Sequence, residues 1–120
     1  MNTSLTQNRK HRKELLEELA TLEQMRRGSL SPQVFEVTRK DGTKVLQGPY
    51  VLYTFKEKGK TISRRVSNPD LVPRYQEQIE AFRRFESLSA ELVRVGEKIS
   101  DLVLSDEEEL KKKRSRRGKE

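Results

Sequence analysis

Cysteine and tryptophan are absent from this chain, and histidine occurs once. Without cysteine there is neither a disulfide framework nor a thiolate metal site, and nothing points to an oxidising compartment. The single histidine, His11, lies inside the run Arg9-Lys10-His11-Arg12-Lys13. Cationic neighbours lower its basicity there and no adjacent carboxylate orients it, so it reads as surface decoration and not as a catalytic base. No phosphate-binding loop, nucleophile motif or metal-ligand spacing occurs either. The expectation is a protein without catalytic residues, metal or cofactor, hence no enzyme. Apolar runs of membrane-spanning length are also missing, and Met1 to Asn8 is polar with no hydrophobic segment behind it. Neither a membrane span nor a signal peptide is expected, which places the chain in the cytoplasm.

What is present is charge. The 120 residues are 38% charged against 32% hydrophobic, which leaves little for a thick core and suggests that part of the chain leans on a partner. The net charge is +7, a balance that favours polyanions as ligands. Its distribution is uneven: residues 33–68 sum to +5 and residues 1–13 to +4, whereas 14–32 and 69–104 each sum to −2. The positive charge therefore sits on the most strand-like region and at the ends.

That strand-like region centres on Gly48-Pro49-Tyr50-Val51-Leu52-Tyr53-Thr54-Phe55-Lys56-Glu57, followed by Lys58-Gly59 and Lys60-Thr61-Ile62-Ser63-Arg64-Arg65-Val66. β-branched and aromatic residues crowd both arms, and Lys58-Gly59 supplies a turn with a residue free to take positive φ, so a β-hairpin is predicted. A turn at Lys58-Gly59 pairs Glu57 with Lys60, Phe55 with Ile62, Tyr53 with Arg64, Leu52 with Arg65 and Val51 with Val66. Period-two alternation then gives an apolar underside of Val51, Tyr53, Phe55, Ile62 and Val66. The top is basic and hydroxyl-rich, with Tyr50, Leu52, Thr54, Lys56, Thr61, Ser63 and Arg65. A two- or three-stranded ribbon of this kind suits the major groove of B-DNA, where Arg reads guanine edges, hydroxyls contact bases or phosphates and Lys neutralises the backbone. Lys56, Lys58, Lys60, Arg64 and Arg65 are the candidate nucleic-acid-binding residues. The plainer reading is a solvated face guarded by Lys. Tyr50, Tyr53 and Tyr75 near arginines also evoke a tyrosine-based strand-transfer site, but Tyr53 and Tyr75 suit packing better.

Around this hairpin a helix is expected from about Arg9 to Arg27, with Thr6 or Asn8 as N-cap and Gly28 as the stop, its apolar face being Leu15, Leu16, Leu19, Leu22 and Met25. Gly28 to Pro32 reads as a short linker. Val34, Phe35 and Val37 then open a strand that turns at Asp41-Gly42 and returns to Leu46, a second hairpin. Asn68-Pro69-Asp70 reads as a helix start. A long helix follows, with apolar residues at spacings of three and four and an extra step of three at Phe85, a stammer. Its second half carries a heptad-like stripe of Leu88, Leu92, Val95, Ile99 and Leu102, which packs either on the first helix of the same chain or on a partner helix; the first helix is too short to cover the whole stripe, which favours a partner. The tail from Ser105 on separates an acidic block from a basic one and reads as disordered.

The run Arg27-Gly28-Ser29-Leu30, then Gly48-Pro49-Tyr50, Gly59-Lys60 and Arg65-Val66 ahead of an amphipathic helix resembles a family of small bacterial and archaeal proteins of uncharacterised function. Genes for its members often lie in or near transposon-like neighbourhoods. The likeness covers about residues 26 to 103 and implies a link to mobile elements. Many relatives carry a cysteine-rich segment before Gly-Pro-Tyr; Gln33 to Gln47 has none, so no metal role carries over.

The sequence thus predicts an α+β fold. A disordered N-terminus (1–8) precedes one domain (9–104) built from an N-terminal helix, an antiparallel meander of three or four strands over 33–67 and a long amphipathic, coiled-coil helix over 69–104. A disordered tail (105–120) follows. The functional expectation is a non-catalytic nucleic-acid-binding accessory, DNA favoured, linked to a mobile element or DNA processing, with a second copy or a helical protein as partner. The alternative is a coiled-coil interaction adaptor without nucleic-acid contact.

Overall fold

A computed structural model of the chain describes residues 3–118. It is an α+β arrangement of helix α1 (Thr3–Ala20), strands β1 (Ser29–Thr38), β2 (Lys44–Glu57) and β3 (Lys60–Arg65), and helix α2 (Val72–Gly118). The three strands form one antiparallel sheet in the order β1-β2-β3. Two compact units are distinct: Gln24–Arg84 holds the sheet, and the other joins α1 to α2 from Phe85 onward.

In the sheet unit, β2 pairs with β3 in the register that the Lys58-Gly59 turn dictates, from Glu57 opposite Lys60 to Leu52 opposite Arg65. The amide of Val66 donates to the Val51 carbonyl at 2.9 Å and extends that register by one pair. Both turn residues take positive φ, 51° at Lys58 and 80° at Gly59, the handedness that matches the twist of the two arms. The other expected hairpin differs. Its returning arm and the first arm of the central hairpin are one continuous strand, β2, so the sheet has three strands. A register shift between Gln33 and Phe35 absorbs an extra residue of β2, which is how the chain passes Gly48-Pro49 without ending the strand. Ser29 to Pro32, expected as linker, belongs to β1. Pro32 is tolerated because β1 is an edge strand, where a missing N–H is affordable.

The underside of the sheet packs on aromatic and aliphatic side chains. Tyr53 and Ile79 are buried. The ring of Tyr53 stacks on Phe55 at 5.2 Å and meets Tyr75 at 5.4 Å. The Arg26 guanidinium lies 5.5 Å from the centre of the Tyr53 ring and 4.7 Å from that of Tyr75, a cation held between two π-faces. Tyr53 and Tyr75 are packing residues.

In the helical unit, Leu15, Leu88 and Val95 are buried together, with Leu19, Leu22, Leu92 and Ile99 packed against them. Leu102 lies with Ser4 and Asn8 beside the same seam. The stripe thus packs against α1 of its own chain. Leu16 and Met25, expected on that face, are exposed instead. His11 lies at the surface, where Glu91, remote in sequence, brings a carboxylate oxygen 3.0 Å from its Nε2.

Helix boundaries differ from the sequence reading at both ends. Helix α1 starts at Thr3, so Thr6 and Asn8 are interior, and Asn8 donates to the Ser4 carbonyl at 2.8 Å. The basic run therefore sits more than a turn inside the helix, away from the unfavourable positive end of the dipole. Helix α1 ends at Ala20, well before Gly28. Beyond it, Gln78 captures the chain: its carbonyl accepts from the Arg26 amide at 3.0 Å, its Oε1 from Arg26 Nε at 2.8 Å, and its Nε2 donates to Gln24 at 3.1 Å. Asn68 does cap, its Oδ1 accepting from the Asp70 amide at 3.0 Å, but the first turn Pro69–Leu71 is a 3-10 turn. Helix α2 then continues to Gly118, through the stretch read as a disordered tail. Glu107, Glu108 and Glu109 precede Lys111, Lys112 and Lys113 by four residues each, the orientation that supports a helix. Met1, Asn2, Lys119 and Glu120 lie outside the described residues.

At the tip of the β1–β2 arm the Thr43 amide donates to Asp41 Oδ1 at 2.9 Å. That bond holds the Asp41 carboxyl below its ordinary value of 3.8. A lowered folded-state value means that the bond stabilises the turn fully above pH 3.8 and is lost as the pH falls through the lower, folded value. The expected result is a turn that loosens as the pH falls through that lowered value, seen as a smaller protection factor of the Thr43 amide. Asp41→Asn, which keeps an acceptor but cannot titrate, removes that acid transition.

Candidate nucleic-acid interface

Register decides which basic side chains share a surface. Partners across a strand pair point the same way and neighbours along a strand point oppositely. Lys56, paired with Thr61, and Arg65, paired with Leu52, belong to the upper face. Arg64 pairs with Tyr53 and Lys60 with Glu57, so both belong to the underside, and the Arg64 guanidinium covers the Phe55 ring at 5.6 Å. Lys58 is in the turn itself. Of the five candidates, the structure therefore brings Lys56 and Arg65 onto one face and directs Lys60 and Arg64 to the other.

The upper face gains residues from β1. Ser29 pairs with Thr54, Ser31 with Leu52 and Gln33 with Tyr50. Past the register shift the Phe35 ring lies 6.0 Å from that of Tyr50. Every residue of this face is exposed or half-buried: Ser29, Gln33, Phe35, Lys56, Thr61, Ser63 and Arg65 are exposed, and Ser31, Tyr50, Leu52 and Thr54 are half-buried. Thr54 and Ser63 share a hydroxyl–hydroxyl hydrogen bond of 3.1 Å across the strands. The Arg65 guanidinium sits 3.6 Å from the centre of the Tyr50 ring, and the Tyr50 hydroxyl bonds Gln47 at 3.3 Å.

No family model, curated protein or solved structure matches this chain.

Where β1 begins, the sheet is notched. Gly28 lies against β2 with φ +112°, and a Cβ there would lie 2.2 Å from the Thr54 carbonyl oxygen, so only glycine allows the approach. The buried Tyr53 hydroxyl donates to the Arg27 carbonyl and anchors the same segment. Beside it opens a cleft of about 340 Å³ lined by Arg27, Ser29, Thr54, Phe55, Lys56 and Thr61, with Gly28 at its edge. Arg27, Ser29 and Phe35 were not among the sequence candidates. Their place depends on where β1 starts and how it passes the register shift, and neither is written in local composition. Among the described residues no group of His, Cys, Asp and Glu could hold a metal ion, and no helix is long and apolar enough to cross a membrane.

This face can attract phosphate through Lys56, Arg65 and Arg27 and donate neutral hydrogen bonds through five hydroxyls. It can also offer π-faces to bases.

Proposed function

We propose that this protein is a non-catalytic nucleic-acid-binding accessory, with DNA as the favoured ligand, serving a mobile element or another DNA-processing system. The observation that carries the reading is the upper face of the sheet, where Lys56 and Arg65 stand among Ser29, Ser31, Thr54, Thr61 and Ser63 with no carboxylate between them. A net charge of +7 adds long-range attraction. The mobile-element part rests on the family resemblance of the Gly-Pro-Tyr strand and its basic return. The rival reading, a helical adaptor working through Leu88, Leu92, Val95, Ile99 and Leu102, has less to stand on because those side chains already lie against α1.

The test is fluorescence anisotropy with labelled DNA of mixed sequence, single-stranded and duplex, at about 50 mM and about 200 mM salt. Expected affinity is micromolar or weaker at the higher salt, falling steeply because roughly four to six phosphates are neutralised. Lys56→Ala with Arg65→Ala should lower the salt slope by about 2 while leaving the fold intact, since both side chains point away from the packed underside. If neither form of DNA binds even at about 50 mM salt, the reading is wrong.

A further inference from the structure

Two features of the upper face lie at opposite ends of β2. At one end, the cleft beside Gly28 is lined by Arg27, Ser29, Thr54, Phe55, Lys56 and Thr61, with no carboxylate among them. Much of its surface is apolar, and Arg27 and Lys56 are the charges at it that a phosphodiester would meet. At the other end is a layered group. The Arg65 guanidinium lies 3.6 Å above the Tyr50 ring, and Phe35, 44% exposed, stands 6.0 Å from Tyr50 with an interplanar angle of 33°. A guanidinium so close to a ring centre lies over that ring, Arg65 is itself exposed, and the exposed Phe35 ring stands beside Tyr50 at a tilt. Lys56 is six steps along β2 from Tyr50, about 20 Å in an extended strand.

From this arrangement we infer that the ligand is a single strand of nucleic acid laid along β2. A backbone phosphate occupies the Arg27–Lys56 cleft, and unstacked bases rest on the platform of Arg65, Tyr50 and Phe35. The inference rests on the nucleic-acid reading above and narrows it. Aromatic rings and Arg planes are stacking surfaces for splayed bases, and a duplex keeps its bases stacked on one another, out of their reach. The sheet is also too broad for a groove. Its outer strand axes are about 10 Å apart before side chains are added, against a major groove of about 12 Å that admits a two-stranded ribbon. A span of about 20 Å corresponds to roughly six nucleotides at the per-strand rise of about 3.4 Å, and to fewer in an extended strand.

The experiment compares labelled oligonucleotides of about 15 nucleotides, as single-stranded DNA, single-stranded RNA and duplex DNA, bound to the full chain at one salt concentration. Single strands should bind about tenfold more tightly than duplex, and a preference shown by either sugar supports the inference. Phe35→Ala should weaken single-strand binding roughly 5- to 10-fold and duplex binding little. Arg65→Lys, which keeps the charge but loses the plane, should reduce single-strand affinity at an unchanged salt slope. Circular dichroism establishes that both variants retain the fold. Duplex binding equal to or tighter than single-strand binding overturns the inference and leaves the nucleic-acid reading standing. So does a single-strand preference that survives both substitutions. Failure of every oligonucleotide to bind overturns both.

Discussion

Gly28→Ala is expected to lower the stability of the sheet unit by about 2–4 kcal/mol, more than any surface substitution. Two costs combine. The φ of +112° at Gly28 lies outside the conformations an L-alanine adopts, and the added Cβ would meet the Thr54 carbonyl oxygen at 2.2 Å and the Phe55 Cβ at 3.0 Å. Both atoms belong to the central strand, paired on its far side with β3, so neither yields cheaply. The entropy that alanine removes from the unfolded chain returns only about 0.4–1 kcal/mol. The first local consequence is loss of the Ser29–Thr54 pairing, which lines the cleft, and of the contact between the Tyr53 hydroxyl and the Arg27 carbonyl. Denaturant unfolding measures the total, and amide exchange along β1 locates it. An unchanged midpoint would mean that the chain reaches β1 by another route.

Leu88→Ala should cost about 2–5 kcal/mol in the helical unit. Leu88 is 1% exposed and packs with Leu15 and Val95, and Leu92 and Ile99 close around them. Truncation removes three side-chain carbons and their contacts, and two antiparallel helices have little means of collapsing into the space. Val93→Ala is the control on the same helix: Val93 is 59% exposed, so its loss should stay within about 0.5 kcal/mol. Urea titrations followed by helical circular dichroism distinguish the two. Equal effects would show that the seam between α1 and α2 is not closed by this stripe.

Parts of the candidate site were readable because their determinants are local. The Lys58-Gly59 break sets the count of the hairpin, and from it period two assigns every partner between Glu57–Lys60 and Leu52–Arg65. The same count puts Arg64 and Lys60 on the underside, so charge alone overstated the basic surface. Phe35 could not be placed by counting, because the register shift beside it changes the partner offset between β1 and β2. Arg27 reaches the cleft only because the chain leaves α1 early.

By itself the sequence determined the order and type of the elements, the β2–β3 register, the Asn68 cap and the apolar stripe from Leu88 to Leu102. Each depends on residues within a turn or two of one another, where backbone geometry and side-chain period act directly. Tertiary structure alone decided where α1 stops, since Gln78 competes for Gln24 and Arg26 from more than fifty residues away. It also decided that residues 44–57 form one strand, that α1 covers the stripe, and that Glu91 meets His11. In each of these cases two segments that are individually indifferent gain burial or a hydrogen bond only when the fold brings them together, and no local pattern records that gain.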